Sequence, residues 1–251
     1  METTGIILAG GKGTRMGNLT IVKHKCLLKV GNFPILTHLI LQLSCFKIDR
    51  VIICSGYLSE KIKIYLKKKL DLDLEKLSKI LKIKSYIKPK IIINKSGIKD
   101  STSQRLFKIK KLIGNSNLLI LYGDTLMDVN YNKFQIFLKK NMGKSDVILT
   151  LSNPKEKFGV VKLKNNKVIS FSEKIIDRSR WVNSGWMLVK NKLLKKISNS
   201  NINFENYLFK KNLDIKAYKN YFYYQPIDNI SDLNNANKNW KKNKKTWFTN
   251  L

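Results

Sequence analysis

The stretch Leu8-Ala9-Gly10-Gly11-Lys12-Gly13-Thr14-Arg15 follows directly on the short apolar run Gly5–Ala9. Glycines at 10, 11 and 13 free the backbone for unusual dihedrals and for the close approach of another group. A turn built this way aims consecutive N–H groups at one point, and Lys12 and Arg15 add positive charge, so the stretch reads as a phosphate loop. It is not a Walker loop, because Gly13 follows Lys12 and no glycine stands five residues before Gly11. Nor is it the dinucleotide pattern, since Met16 stands where a third glycine belongs.

A second signal is Asn117–Tyr122 followed by Gly123-Asp124, an apolar strand ending in a carboxylate. One Asp at a strand end is often only a cap or turn former. Paired with a phosphate loop it is suited to hold Mg²⁺ against phosphate oxygens, with one or two carboxylates and several waters. Asp228, in Gln225-Pro226-Ile227-Asp228, is the expected second carboxylate; Asp128 is nearer in sequence but is expected to follow the turn away. Lys25, between Ile21-Val22 and Cys26-Leu27-Leu28, can supply a point charge to triphosphate oxygens, although a single Lys in so Lys-rich a chain is a solvated surface residue by default. Glu173-Lys174 after a strand could bind a sugar hydroxyl and a phosphate, or form an exposed ion pair. Asn183 and Gly185 interrupt an apolar strand, and Asn183 could hydrogen-bond a polyol. His24 and His38 have no metal-ligand spacing and no nucleophile partner, and neither is assigned a role.

These residues need elements to position them. Strand-like runs at Gly5–Ala9, Arg50–Cys54, Lys90–Asn94 and Leu118–Tyr122 alternate with helical spacing after Pro34, over Leu58–Leu81, and over Ser101–Ile113 with Ser101 as N-cap. That alternation predicts right-handed βαβ units and a mainly parallel sheet, with ligands at the carboxyl ends of the strands. Further strands are expected at Asp146–Ser152 and Val182–Val189, with a hairpin of Gly159–Lys164 and Val168–Ser172. Helices follow near Lys192–Ile197 and Phe204–Lys210, and Ser231 is expected to cap a closing helix through Trp240. No linker interrupts the chain, which reads as one domain, residues 1–130 forming one half and 131–251 an acceptor half.

With 43% hydrophobic and 10% aromatic residues the chain reads as globular. No apolar stretch of 18 residues and no export signal are found, and three cysteines without a C-x-x-C pair fit a reducing cytoplasm. The net charge of +32 invites a nucleic-acid reading, but only five of 49 basic residues are Arg and the Lys residues are spread along the whole length. Base readers use Arg forks grouped on one element, so specific nucleic-acid binding is not expected.

Taken together, L-A-G-G-K-G-T-R at 8–15, Lys25, Y-G-D at 122–124, F-G-V at 158–160, S-E-K at 172–174 and N-S-G at 183–185 resemble the sugar-nucleotide pyrophosphorylases. T-I-V-K-H-K at 20–25, I-I-C-S-G-Y at 52–57, T-S-Q-R-L at 102–106, Q-P-I-D at 225–228 and the W…K-T-W ending are similar to the glucose-1-phosphate cytidylyltransferase group of that family. The resemblance runs nearly end to end. It implies a Rossmann-like three-layer α/β/α nucleotidyltransferase fold with a mixed, mainly parallel sheet. It also implies Mg²⁺-dependent transfer of CMP from CTP to a sugar 1-phosphate, without a covalent intermediate. Leu8, Ala9, Gly10, Gly11, Gly13, Thr14, Arg15, Lys25 and Gly123 would then surround the nucleotide, with Thr102, Gln104 and Arg105 on its base side. Arg15, Lys25 and Asp124 would be catalytic, Asp124 and Asp228 would hold the metal, and Gly159, Glu173, Lys174 and Asn183 would bind the acceptor. Homo-oligomers are possible. The sequence departs from the family where Lys-Pro-Lys-Pro reads Lys23-His24-Lys25-Cys26 and where Thr-Gly-Gly-Arg reads Thr102-Ser103-Gln104-Arg105. The Lys/Leu-rich segment between Leu70 and Asn94 has no counterpart in the segment that helps the family assemble. Gln104 is expected either to shape the pocket or to begin a helix.

Overall fold

Apolar runs without a polar face can be strands only if both faces are covered. In a computed structural model, which describes residues 2–156, 159–173, 175–211 and 213–250, they are. The central strands are β1 (Thr3–Ala9), β2 (Arg50–Ser55), β3 (Lys90–Lys95), β4 (Asn117–Tyr122), β5 (Val147–Ser152), β6 (Val182–Val189) and β7 (Ile215–Asn220). They form one sheet in the order β7-β5-β6-β4-β1-β2-β3. All pairings are parallel except the two made by β6, which runs against β4 and β5.

The pleat sends alternate residues to two cores. Ile7 and Ala9 of β1, Val51 and Ile53 of β2, and Leu119 and Leu121 of β4 enter one core. Ile6, Leu8, Ile52, Cys54, Leu118 and Ile120 enter the other. The first is covered by α1 (Ile35–Cys45), α2 (Ser59–Lys68), α3 (Leu70–Leu81), α5 (Tyr131–Asn141) and α6 (Ile230–Lys242), the second by α4 (Thr102–Lys108) and the short helices Asn191–Lys195 and Phe204–Phe209. The result is the expected three-layer α/β/α architecture. Cys26, Cys45 and Cys54 are free, and among the described residues no helix is long and apolar enough to cross a membrane.

The structure corrects four local expectations. The helix expected over Leu58–Leu81 is two helices, broken at Lys69 (φ −133°). A straight helix of that length would run about 36 Å and carry its last leucines past the core; the break returns Leu70, Leu74, Leu77 and Leu81 to it. The helix expected over Ser101–Ile113 is likewise interrupted, at Ile109, although Ser101 caps it as expected. The closing helix is capped by Asn229 rather than Ser231, because Asn229 and Asp232 exchange hydrogen bonds in a capping box. Finally, β7 has no counterpart in the sequence pattern: Lys216, Lys219 and Asn220 make Ile215–Asn220 too polar to read as a strand, and its edge position accommodates them. The expected hairpin is present as Val160–Lys164 and Lys167–Ser172, exposed from Val161 onward. Its turn residues Asn165 and Asn166 both take positive φ (46° and 60°), as a two-residue hairpin turn requires.

Candidate active site

At the carboxyl edge of the sheet, β1 runs into the glycine loop. Gly13 takes φ +67°, its carbonyl accepts from Met16 N–H and from Thr20 Oγ1–H (2.8 and 3.0 Å), and the loop closes into the turn Thr14–Met16. Next to it, β4 ends so close to β1 that Gly123 N–H donates to the Leu8 carbonyl (3.0 Å). A Cβ on Gly123 would stand 2.9 Å from that carbonyl oxygen, so only glycine allows Asp124 to sit beside the loop. Lys25 rides on the short 3₁₀ turn Lys25–Leu27, which is capped by His24: its Nδ1 accepts the Cys26 N–H at 3.1 Å. Asp228 precedes α6, and its N–H donates to the Asp232 carboxylate of the capping box (3.0 Å).

The side chains converge. Lys25 Nζ donates to Asp124 Oδ2 at 2.6 Å and to Asp228 Oδ1 at 3.1 Å, and Arg15 reaches the same Asp228 oxygen at 3.0 Å. Lys25 is largely enclosed (side chain 11% exposed), whereas the two carboxylates keep about a third of their surface open (32% and 28%). The cleft between them measures about 240 Å³. Its wall includes Leu8, Ala9, Gly11, Gly13, Cys26 and Gly123; its polar side chains are Thr14, Arg15, His24, Lys25, Asp124 and Asp228. Asp128, by contrast, is 2% exposed and bound to Asn250, outside this cleft.

Other expected residues lie elsewhere. Gly10 lies under the loop, its carbonyl bound by Tyr57 N–H and by Arg105. Thr102 Oγ1 accepts the Phe204 N–H, Gln104 Oε1 accepts the Ser101 N–H as part of a helix cap, and Arg105 points into the interior. None of the three lines the cleft. Asn183 is held inside β6, its Oδ1 taking Gly185 N–H (3.0 Å) and its Nδ2 donating to Glu205 (3.3 Å). Burial raises the Glu205 carboxyl above its ordinary range. Gly159 and Glu173 belong to the exposed hairpin region, and Lys174 and Phe158 lie outside the described residues.

Two residues near the carboxylates had no signal in the sequence. Burial, and then the charges of Asp124 and Asp228, push the Tyr224 hydroxyl up to about 12; one of three tyrosines among four consecutive aromatics reads as core. His24 is 2% exposed, lines the cleft, and is pushed by burial down to about 4, so it is neutral at pH 7. A larger cavity of about 660 Å³ lies at the opposite ends of the strands, beside Phe46, Leu119 and Met142, and holds none of these groups.

A glycine loop, a lysine and two carboxylates at the carboxyl edge of a mainly parallel sheet form the kind of arrangement suited to a phosphate-bearing ligand. The family described as Nucleotidyl transferase matches residues 4–242. The chain belongs to that family and is a nucleotidyltransferase. Among its relatives, a probable glucose-1-phosphate cytidylyltransferase from Bacillus subtilis is 28% identical over 96% of this chain and 98% of its own length. The glucose-1-phosphate cytidylyltransferase of Salmonella typhimurium is 27% identical over 97% and 98%. Among solved structures, HddC from Yersinia pseudotuberculosis, complexed with GMP-PN, shares the fold with a TM-score of 0.67 at 21% identity, covering 96% of this chain and all of that one.

Proposed function

We propose that the protein transfers CMP from CTP to a sugar 1-phosphate, with glucose 1-phosphate as acceptor, and releases pyrophosphate. The observation that carries the reaction class is the convergence of Lys25, Asp124 and Asp228 within hydrogen-bonding distance beside the glycine loop. The cytidine and glucose assignments rest on the full-length relatives, which carry those names.

In this reading the loop amides and Arg15 hold the triphosphate, and Lys25 leaves its carboxylate partners for the α-phosphate. An acceptor phosphate oxygen then attacks the α-phosphorus in line and pyrophosphate departs, so that catalysis is positioning plus charge neutralisation. The donor set suits Mg²⁺: two hard, part-exposed carboxylates already share one cation, the Lys25 ammonium. No group of three or more His, Cys, Asp or Glu side chains that could hold a metal exists among the described residues, so phosphate oxygens and water would complete the shell. Asp124 and Asp228 would hold the ion, which would neutralise phosphate charge. The acceptor would lie toward Asn183, Gly159 and Glu173.

The experiment is pyrophosphate release with each of four nucleoside triphosphates against a panel of sugar, heptose and polyol phosphates. Turnover greatest with CTP and glucose 1-phosphate is expected. A different preferred pair would replace the substrates while leaving the reaction class, and no release with any pair would sink the reading.

A further inference from the structure

Arg105 is 4% exposed, yet among the described residues it makes no ion pair. Its guanidinium instead spends its N–H groups on neutral oxygens at three strand ends. Nη2 donates to the Gly10 carbonyl after β1 (3.2 Å) and to the Gly97 and Ile98 carbonyls after β3 (3.1 and 3.5 Å). Nη1 donates to the Ser55 carbonyl at the end of β2 (3.1 Å) and to Ser96 Oγ. Asp100, the carboxylate whose charge reaches it, is bound to Lys108 and to Gly97 N–H.

Two glycines make room for this group. A Cβ on Gly10 would collide with the guanidinium, and one on Gly56 would stand 2.6 Å from the Gly10 oxygen and 2.8 Å from Arg105 Nη1. Gly10 of the loop, Gly56 after β2 and Arg105 on α4 thus form one packing unit, although they lie far apart in the chain. In a trans peptide the carbonyl of one residue and the N–H of the next point in opposite directions. With the Gly10 carbonyl drawn down onto Arg105, the Gly11 N–H is turned the other way, and Gly11 lines the cleft.

We infer that Arg105 is a positioning residue for the phosphate loop: it holds the loop from beneath with its amides outward, and places an un-neutralised positive charge under the bound phosphates without touching substrate. A guanidinium does not lose its proton in a protein, so this charge is permanent. In a low-dielectric interior it acts over several ångströms on an anion above it. The inference rests on the loop being a phosphate site.

The test compares Kd for CTP and for inorganic tripolyphosphate, which has no base, at fixed ionic strength. The proteins are wild type, Arg105→Met, Arg105→Lys and Gly56→Ala, with unliganded melting temperatures alongside. Arg105→Met is expected to weaken both ligands by the same factor, about tenfold or more, the loss of one charge-assisted contact set. Arg105→Lys should recover part of both affinities, because it keeps the charge but loses the fork. Gly56→Ala, which keeps the charge and displaces the clamp, should weaken both, and KM for CTP should move more than kcat. If Arg105→Met does not fold, the Lys and Gly56→Ala variants decide. Weakened CTP with unchanged tripolyphosphate would make Arg105 a base contact and overturn the inference, as would no change in either. Wild type that binds neither probe removes the phosphate site and the inference with it, whereas wild type that binds both with indifferent variants sinks the inference alone.

Discussion

At the scale of single residues, the choice between two nearby aspartates decides the site. Asp228 shares the Lys25 ammonium with Asp124, while Asp128 is buried against Asn250, and burial raises its carboxyl above the ordinary range. Asp124→Asn and Asp228→Asn are each expected to lower kcat by about a hundredfold or more, the scale of losing one fixed electrostatic partner of the reacting phosphate. Both should keep their melting temperatures within a few degrees, because neither side chain belongs to a core. Asp128→Asn should do the reverse and change stability with little effect on kcat. Steady-state rates that fell with Asp128→Asn and not with Asp228→Asn would assign the second carboxylate to the wrong residue.

At the scale of elements, the cap of α6 carries more than the helix. Asp232 Oδ2 accepts both Asn229 N–H (3.2 Å) and Asp228 N–H (3.0 Å), so the device that starts the helix also fixes the backbone of the second carboxylate. Asn229→Ala should cost about 1 kcal/mol, a drop of about 2–4 °C for a chain of this size. Asp232→Ala should cost a similar amount and also reduce turnover, since it frees the Asp228 amide. A thermal melt and an initial-rate assay on the same two variants separate these effects. A destabilised Asp232→Ala protein with full turnover would show that the cap and the site are independent. The same logic applies to Gln104. Its side chain completes the cap at Ser101 (3.0 Å), so Gln104→Gly is expected to lower stability and to leave the ranking of nucleotides unchanged.

At the scale of the whole molecule, two buried histidines tie stability to pH. Burial lowers His24 and His38 from an ordinary 6.5 to about 4. His38 is held neutral between Trp247 Nε1–H, which donates to Nδ1 at 3.2 Å, and the Val30 carbonyl 3.0 Å from Nε2. Between pH 4 and 6.5 the unfolded chain therefore binds more protons than the folded one. The stabilisation is complete above pH 6.5 and is lost as pH falls, by about 1.4 kcal/mol per pH unit for each histidine. Urea midpoints from pH 7.5 down to 4.5 should fall accordingly, and His38→Gln should remove about half of the slope. A flat profile would show that these imidazoles titrate normally. Ligand linkage gives the second test at this scale: CTP with Mg²⁺ at about 100 times Kd should add about 2.7 kcal/mol, more than ATP, GTP or UTP at the same concentration. A larger shift with another nucleotide would replace cytidine and keep the reaction.

Six of the seven strands, the glycine loop and the carboxylates beside it were legible in the sequence. Apolar runs alternating with helices fit the covered strands of a mainly parallel sheet, and such a sheet brings the residues after β1 and β4 to one edge. Gly123-Asp124 and the Gly10–Gly13 loop were legible for that reason, because backbone demands at these points restrict residue type locally. Features that depend on pairs distant in the chain became visible in the folded molecule alone. Arg105 reads as a base-side residue until its guanidinium is seen beneath Gly10, 95 residues away. The break at Lys69 carries no Pro or Gly and follows from the core that α3 must reach. β7 is a strand only because β5 offers it an open edge. Spacing reports the period of one element; it carries no information about which neighbour that element will meet, and burial, pKa and hydrogen-bond partners are properties of that meeting.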